Sequence, residues 1–234
     1  MTRPTGVAAT LAPDTALLPD ARRLRTYGGW ACCAGVAFFA IYPTFNWLTA
    51  RREHRLHLYA NAELAIPFVP QFIWAYISMY ILFFLPLFAL PAHRMPALGK
   101  QLVAGTIASG LLFLLFPAVL GFTRTLPADP LYAGMYSGIF GVDRPHNLVP
   151  SLHIVWSSLI ILACADIARP GARALLQAWL AIIAASTVFV HQHHILDVVA
   201  AIPLVLLLRH RFRVPHVQDN FADRDAAAGA TGLR

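Results

Sequence analysis

Charged residues are scarce in this sequence. Only 12% of the 234 residues are Asp, Glu, Lys or Arg, against roughly 25% in a typical soluble domain, and 58% are hydrophobic. A soluble chain of this length cannot cover its surface with so few charges, which excludes a soluble enzyme, a disordered protein and a secreted disulfide scaffold. The composition therefore predicts an integral membrane protein.

Lysine and cysteine are also rare. Lys100 is the one lysine beside seventeen arginines. Because these cations stand mostly beside apolar runs, the formal charge of +7 indicates membrane orientation rather than nucleic-acid binding. The three cysteines, Cys32, Cys33 and Cys164, all lie inside apolar runs. Their odd number and their setting predict small buried side chains rather than a disulfide or a metal site.

Long hydrophobic stretches are what the chain has in abundance. Because a helix needs roughly 20 apolar residues to cross the hydrocarbon core, we predict an all-α bundle of about six membrane-spanning helices. Their expected positions are 28–48, 66–90, 102–122, 152–168, 175–189 and 195–208. Residues 27–210 form the expected membrane domain, between a disordered segment, 1–26, and a disordered tail, 211–234. The first span is interpreted as an anchor, since it is longer than the apolar run of a signal peptide.

The distribution of positive charge predicts which side of the membrane each loop faces. With a cytoplasmic N-terminus, ten cations fall on the inner side and five on the outer side, which favours cytoplasmic N- and C-termini. The inner set is Arg22, Arg23, Arg25, Arg94, Lys100, Arg169, Arg173, Arg209, Arg211 and Arg213, and the outer set is Arg51, Arg52, Arg55, Arg124 and Arg144. The cluster at 51–55 has two interpretations, an interfacial segment that meets lipid headgroups or an anion-binding rim.

Two polar segments lie at the predicted outer face. In the first, Pro150 and Ser151 favour a helix start, so we expect His153 in a first turn whose free N–H groups attract an anion. In the second, His193 and Asp197 are four residues apart and share one helix face. A carboxylate against an imidazole fixes the tautomer and makes the distal nitrogen more basic, as a nucleophilic or general-base histidine requires. A capping serine beside a satisfied histidine, and a purely structural His–Asp pair, are the alternative interpretations.

Together the two segments resemble the motifs of the type-2 phosphatidic acid phosphatase superfamily, the lipid phosphate phosphatases. That family pairs P-S-x-H with a later S-R-x5-H-x3-D in a bundle of about six spans. The matching residues here are Pro150, Ser151, Leu152, His153, Ser186, His193 and Asp197. The resemblance covers roughly residues 46–201, most of the chain outside the two ends.

The departures from the family pattern point to one branch of it. Leu152 stands where the phosphatases usually have Gly, and Thr187 stands where they have Arg. The K-x6-R-P motif is missing from the sequence, since Ile107 stands seven places after Lys100. Pro-Ser-Leu-His and the segment 65–70 are more similar to the inositol phosphorylceramide synthases, the sphingomyelin synthases and their bacterial phosphatase relatives. Other arginines must then replace the usual phosphate clamp.

The resemblance implies a metal-independent lipid phosphatase or phosphotransferase in the bacterial inner membrane, with its site on the extracytoplasmic side. His193 would attack phosphorus and form a phosphohistidine, Asp197 would hold its ring, and His153 would protonate the leaving oxygen. The substrate would be a lipid phosphate and the acceptor water or a lipid hydroxyl. A phosphodiester headgroup transferase of the inositol phosphorylceramide synthase type is the alternative. No cofactor and no nucleic-acid partner are implied.

The side chains that would bind the phosphate form a larger group. The candidates are Arg124, Arg144, Asn147, Ser151 and Ser186. Arg124 is the first choice because it follows the third predicted span at the outer face, and Arg144 is the second. Asn147 would donate to the same oxygens or merely shape the turn. Glu63 is expected to orient a basic residue.

Other classes of function stay open at this point. The imidazoles of His153, His191, His193 and His194 are suited to a zinc, copper, iron or haem site. Against this, the adjacent His193 and His194 point in different directions on a helix. A transporter or a purely structural membrane protein is a further possibility, and phosphate release without added metal would separate the enzyme from all of these.

Overall fold

The computed structural model describes residues 18–143 and 145–213, and within them the protein is all-α. The helices are α1 (Ala21–Ala50), α2 (Ile73–Ile77), α3 (Met79–Leu82), α4 (Leu85–Ala89), α5 (Met95–Leu115), α6 (Pro130–Val142), α7 (Leu152–Ala165), α8 (Pro170–Phe189) and α9 (Ile195–Arg211). Two 3₁₀ turns cover Asn61–Ala65 and Pro70–Phe72. The described residues contain no β-strand beyond an isolated bridge between Leu56 and Ala118. Of the ends expected to be disordered, 1–17 and 214–234 lie outside these ranges.

Three helices, α1, α5 and α8, are long and apolar enough to cross a membrane. The first begins at Ala21 rather than at residue 28, because Asp20 caps it by accepting a hydrogen bond from the Arg23 N–H. The helical part of the chain therefore reaches back into the segment expected to be disordered. Pro170 begins α8, a first-turn position in which proline is favourable. By length, α7 with 14 residues and α9 with 17 residues fall short of these three.

Helix α7 lies at the centre of the bundle. Most of its side chains are buried, and α5, α8 and α9 pack around it. Helix α1 packs along α5, where Gly99 leaves room for the indole of Trp30. A Cβ atom added at Gly99 would lie 2.3 Å from that ring. The outer helices thus expose apolar surface while a short central helix carries the core, as expected for a bundle in lipid.

The second predicted span, 66–90, is an irregular helical tract rather than one helix. The tract consists of the turn Pro70–Phe72 followed by α2, α3 and α4. After α2, the N–H groups of Ile81, Phe84 and Leu87 bond the carbonyl three residues back instead of four. Such tightening into 3₁₀ geometry interrupts the helix, and Pro86 removes a further backbone donor. The prediction of a single continuous helix here is wrong.

The third predicted span, 102–122, is wrong at its C-terminal end. Helix α5 stops at Leu115, because a proline at position 117 cannot continue it. The outer loop expected at 123–151 also contains a helix that was not predicted, α6. Its N-cap is Asp129, whose carboxylate accepts hydrogen bonds from the N–H groups of the next turn. The chain after α5 therefore contains a helix rather than one long loop, and Tyr136 of that helix packs on Phe68.

The three cysteines lie in two environments. Cys164 is buried in α7, as expected, but Cys32 and Cys33 are exposed on α1. The prediction of buried side chains is wrong for these two, because little of the apolar surface of α1 is covered by the rest of the bundle. All three thiols are free.

Candidate active site

The two polar motif segments meet at the starts of α7 and α9. The Ser151 N–H donates a hydrogen bond of 2.9 Å to the Asp197 carbonyl. Ser151 is also the N-cap of α7, since its hydroxyl accepts from the Ile154 N–H at 3.4 Å, and it is fully buried. One residue therefore both begins the helix that carries His153 and ties that helix to the turn that carries His193.

The imidazoles of His153 and His193 lie beside each other. Their ring centroids are 5.7 Å apart and their planes are inclined by 64°. His193 Nδ1 lies 3.1 Å from Asp197 Oδ2, which leaves Nε2 as the nitrogen available for chemistry. The same carboxylate oxygen accepts the His194 N–H at 2.8 Å. Asp197 thus orients His193 and caps α9 with one group.

Tyr76 joins this pair, and nothing in the sequence indicated it. Its hydroxyl lies 2.7 Å from His153 Nε2, and the two ring centroids are 4.7 Å apart. Tyr76 is buried in α2, in the irregular tract that precedes the motif segments by a long stretch of chain. Its approach depends on how that tract packs, so no local spacing could have predicted the contact.

Arg124 reaches the site from the segment that follows α5. One terminal nitrogen of its guanidinium donates to the Asp143 carbonyl, and the other donates to Gln192 Oε1 at 3.1 Å. The Nε atom is buried without a hydrogen-bond partner among the described residues. Burial lowers the pKa of Arg124, and the charge of Asp143 opposes that shift. The cation therefore lies against the residue that precedes His193, with its Nε–H unused.

Asp143 is a candidate residue that the sequence interpretation missed. Its carboxylate accepts a hydrogen bond from the Tyr42 hydroxyl. Burial raises the pKa of Asp143, and the Tyr42 hydrogen bond and the charges of His193 and Arg124 work in the opposite direction. The available sequence clue was an acidic residue four positions before Asn147 in a chain that has only 11 Asp and Glu.

An apolar cavity of about 740 Å³ adjoins the site. The polar side chains at one end are Tyr42, Tyr76, Asp143 and His153, while α1, α4, α5, α6 and α7 provide mostly apolar walls. Along α1 the lining extends from Tyr42 back to Tyr27. His153 and Asp143 therefore face a space built for apolar groups.

His191 and His194 share the turn of His193 but occupy a different environment. Both rings stack on Phe122, with centroid distances of 3.9 Å and 4.4 Å. His191 has a positive φ of 55°, and its Nε2 lies 3.0 Å from the Ile66 carbonyl, to which it donates. Burial lowers the pKa of both histidines. These two imidazoles are held as neutral, packed rings.

Glu63 holds His194 and the first turn of α9. Its carboxylate accepts the Ile195 N–H at 2.8 Å and the Ala60 N–H at 2.9 Å. His194 Nε2 accepts the Gly121 N–H at 3.0 Å, so the ring hydrogen is on Nδ1. This atom lies 3.3 Å from Glu63 Oε2 but makes no hydrogen bond among the described residues. Burial raises the pKa of Glu63, but the two backbone hydrogen bonds and His194 outweigh it, and the net pKa is lowered. The basic group beside the Glu63 carboxylate is therefore the imidazole of His194.

Two of the candidate phosphate-binding side chains are engaged elsewhere. Asn147 Oδ1 accepts from the Thr49 hydroxyl and Nδ2 donates to the Tyr42 carbonyl, both at 3.1 Å. Ser186 is fully buried and bonds a carbonyl of its own helix at 2.7 Å. The geometry favours Asn147 as a residue that shapes the turn, and it places Ser186 in the core. Arg144 lies outside the described residues.

The arginine cluster at 51–55 stabilises the end of α1. The guanidinium carbon of Arg51 lies 3.2 Å from the centroid of the Trp47 ring. Arg55 donates to the carbonyls of Thr49 and Ala50, the groups that a helix C-terminus leaves without partners. This arrangement favours the interfacial interpretation of the cluster over the anion-binding one.

The histidines do not converge on one point. His191, His193 and His194 bond Ile66, Asp197 and Gly121, respectively, and within the ranges 18–143 and 145–213 no three His, Cys, Asp or Glu side chains form a metal-binding group. Comparison of the chain with protein-family models, with curated proteins and with solved structures found no match.

Proposed function

We propose that the protein is a membrane-embedded lipid phosphatase or phosphotransferase that acts through a phosphohistidine. The observation that carries the proposal is the pairing of His153 with an Asp197-backed His193, at a ring-centroid distance of 5.7 Å. An imidazole oriented by a carboxylate is arranged as a nucleophile, and a second imidazole beside it is placed for acid–base catalysis. The adjoining apolar cavity supports a lipid, rather than a water-soluble ester, as substrate.

The proposed reaction has two halves. His193 Nε2 attacks phosphorus while the bond from phosphorus to the leaving oxygen breaks, and protonated His153 gives that oxygen its proton. The phosphoryl group is then held on His193. In the second half, neutral His153 takes the proton of the acceptor hydroxyl, whose oxygen attacks phosphorus and releases His193. Water as acceptor yields inorganic phosphate, and a lipid hydroxyl yields a new phosphate ester.

Arg124 is the proposed partner of the phosphoryl oxygens. Charge that develops on those oxygens needs fixed donors in a dry site, and Arg124 has a buried Nε without a partner among the residues described. In the free protein, Tyr76 occupies His153 Nε2. The leaving oxygen of the substrate takes the place of that phenol when His153 acts as the acid.

Headgroup transfer is the second candidate, and Asp143 is the observation that favours it. This carboxylate lines the cavity together with His153, where a carboxylate can accept the hydrogen of an acceptor hydroxyl. In that reaction a phosphodiester lipid supplies the group held on His193. Asp143→Asn is expected to lower transfer to the lipid hydroxyl more than hydrolysis. Equal loss of both would remove the support for this candidate.

We further propose that six segments cross the bacterial inner membrane, with cytoplasmic termini and the site at the outer face. The segments are α1, the α2–α4 tract, α5, α7, α8 and α9, and the ten-to-five asymmetry of positive charge supports the orientation. With Cys32 and Cys33 replaced, single cysteines at the exposed positions Ala128 and Gly171 should react with an impermeant reagent from opposite sides of sealed vesicles. Labelling from the same side contradicts the orientation.

The function is tested with a substrate panel. Purified protein in detergent, with EDTA present, is incubated with lipid phosphates, isoprenyl diphosphates and phosphodiester lipids, and free phosphate and transferred product are both measured. We expect one of these products, together with an acid-labile, base-stable phosphohistidine on the protein. Neither product from any member of the panel would contradict the proposal.

A further inference from the structure

The cavity beside His153 has the length of a lipid chain. Its lining on α1 extends from Tyr42 to Tyr27, and at about 1.5 Å of rise per residue the part between Tyr42 and Trp30 is roughly 18 Å long. One leaflet contributes only about half of a hydrocarbon core that is ~30 Å thick. The cavity is therefore deeper than the apolar layer on one side of the bilayer.

The two ends of the cavity differ in polarity. Asp143 and His153 lie at the end next to the candidate active site, whereas Trp30, Pro86 and Met95 lie at the far end. The Tyr27 hydroxyl at the far end is already bonded to the Phe83 carbonyl at 2.8 Å. An amphiphile with one polar head and a long tail matches this distribution.

We propose that the cavity seats a long apolar chain of the substrate and that Trp30 forms the floor that sets the preferred chain length. The position of the headgroup in this inference rests on the proposed function. The floor is fixed because the Trp30 indole packs directly on Gly99, where an added Cβ would lie 2.3 Å from the ring. The chain extends from the His153–His193 pair along α1 to this indole.

Glycines leave the middle of the cavity open and provide a way to block it. Gly35, halfway along the α1 lining, would place a Cβ with no protein atom within 4 Å. A leucine at position 35 therefore has open space around its Cβ and adds bulk to the cavity wall. Gly29 is on the same helix, is exposed and also has no atom within 4 Å of an added Cβ, but it does not line the cavity. Gly29→Leu is the matched control.

The first experiment measures kcat/KM for the monoalkyl phosphates from butyl to hexadecyl. Gly35→Leu should keep the wild-type kcat/KM for butyl phosphate. For longer chains, its kcat/KM should fall about tenfold for each two methylenes that the leucine keeps out of the cavity. Gly29→Leu should match the wild type across the series, and Trp30→Ala should shift the optimum to longer chains. Equal effects of Gly35→Leu on butyl and hexadecyl phosphate, or an unchanged optimum in Trp30→Ala, would overturn the inference.

The second experiment does not depend on turnover. Hexadecylphosphonate with a diazirine near the end of its chain is irradiated with the full chain, and the crosslinked peptides are mapped. Crosslinks are expected in residues 27–35 and 95–102 and should be lost in Gly35→Leu but not in Gly29→Leu. If these crosslinks form but no alkyl phosphate is turned over, the chain site is supported and the proposed function is contradicted. Turnover with crosslinks only outside the cavity overturns the chain site.

Discussion

Two pairs of histidines lie close together in this protein, and their ring nitrogens meet different partners. His191 and His194 stack on Phe122 and bond backbone groups of distant segments. His193 bonds a carboxylate and keeps Nε2 free for chemistry, and its neighbour His153 lines the cavity. Because consecutive residues at a helix start point in different directions, the adjacent His193 and His194 have opposite environments. A histidine bound to the backbone serves the fold, whereas one oriented by a carboxylate beside a cavity can react.

The largest expected effect comes from His193→Ala. The variant loses the proposed nucleophile, so we expect kcat to fall roughly 10⁴-fold or more and the phosphohistidine to disappear. The fall in kcat is measured as product release with the best lipid of the panel. The loss of phosphohistidine is measured by phosphate labelling of the protein. An unchanged unfolding midpoint in detergent is the control. Full activity in this variant would transfer the nucleophilic role to another residue.

His153→Ala should be less severe and should depend on the leaving group. Loss of a general acid and base costs about 10²–10⁴-fold. With p-nitrophenyl phosphate, whose leaving group needs little protonation, the first half-reaction should survive. Phosphohistidine should then accumulate, because the second half still lacks its base. Equal losses with good and poor leaving groups would contradict the acid role of His153.

Arg124 sharpens the comparison, because its guanidinium donates to Gln192, the residue before His193. Arg124→Ala should lower kcat/KM by roughly 10²–10³-fold, the effect of one transition-state donor, and Arg124→Lys should recover little because Lys does not reproduce the bidentate geometry. Arg51→Ala is the control, with a modest effect that depends on salt. Wild-type kcat/KM in a folded Arg124→Ala protein would make Arg144 the better candidate for the phosphate clamp.

His194→Ala should separate stability from activity. The change leaves the half-buried Gly121 N–H without its acceptor, at a cost of roughly 1 kcal/mol, while the backbone N–H of residue 194 still bonds Asp197. We expect a lower unfolding midpoint in detergent and a kcat within a few-fold of wild type for the folded fraction. His210→Ala, at an exposed position of α9, should change neither. A loss of kcat as large as that of His193→Ala would erase the distinction between the pairs.

The smallest expected effect is on the pH dependence of the free energy of unfolding. Burial lowers the pKa of His191 below its ordinary value of 6.5, although its hydrogen bond to Ile66 works against this. Below pH 6.5, the His191 side chain binds a proton in the unfolded chain but not in the folded protein. The free energy of unfolding therefore falls as the pH drops from 6.5 towards the folded pKa of His191, and above pH 6.5 this loss is absent. His191→Phe keeps the stacking on Phe122 and should flatten this part of the stability profile. An identical profile in the two proteins would show that His191 does not titrate in this way.

Local chemistry made part of this arrangement predictable. The Pro150–Ser151 start of α7 and the four-residue spacing of His193 and Asp197 are properties of a helix and its first turn. Asp129 followed by Pro130 is an equally clear helix start. It was missed because α6, with 13 residues, is shorter than a membrane span.

The rest of the site depends on tertiary packing. Tyr76 approaches His153 only because the α2–α4 tract is irregular, and Asp143 approaches the pair only because α6 ends beside Tyr42. Neither position shows a periodicity or a spacing that relates it to the motif segments. Asn147 and Ser186 were chosen by motif position, and their hydrogen bonds are with groups that lie far away in the chain or within the same helix.

The hydrogen bond from the Ile195 N–H to Glu63 has a consequence for biosynthesis. It joins residues 132 positions apart, and the contact of Tyr76 with His153 spans 77 positions. Contacts of such long range form late, because the intervening chain must first be placed. During synthesis, Glu63 Oε2 therefore lacks its Ile195 partner until α9 has been made. A ribosome that stalls before α9 leaves the other helices without Asp197, the residue that orients His193.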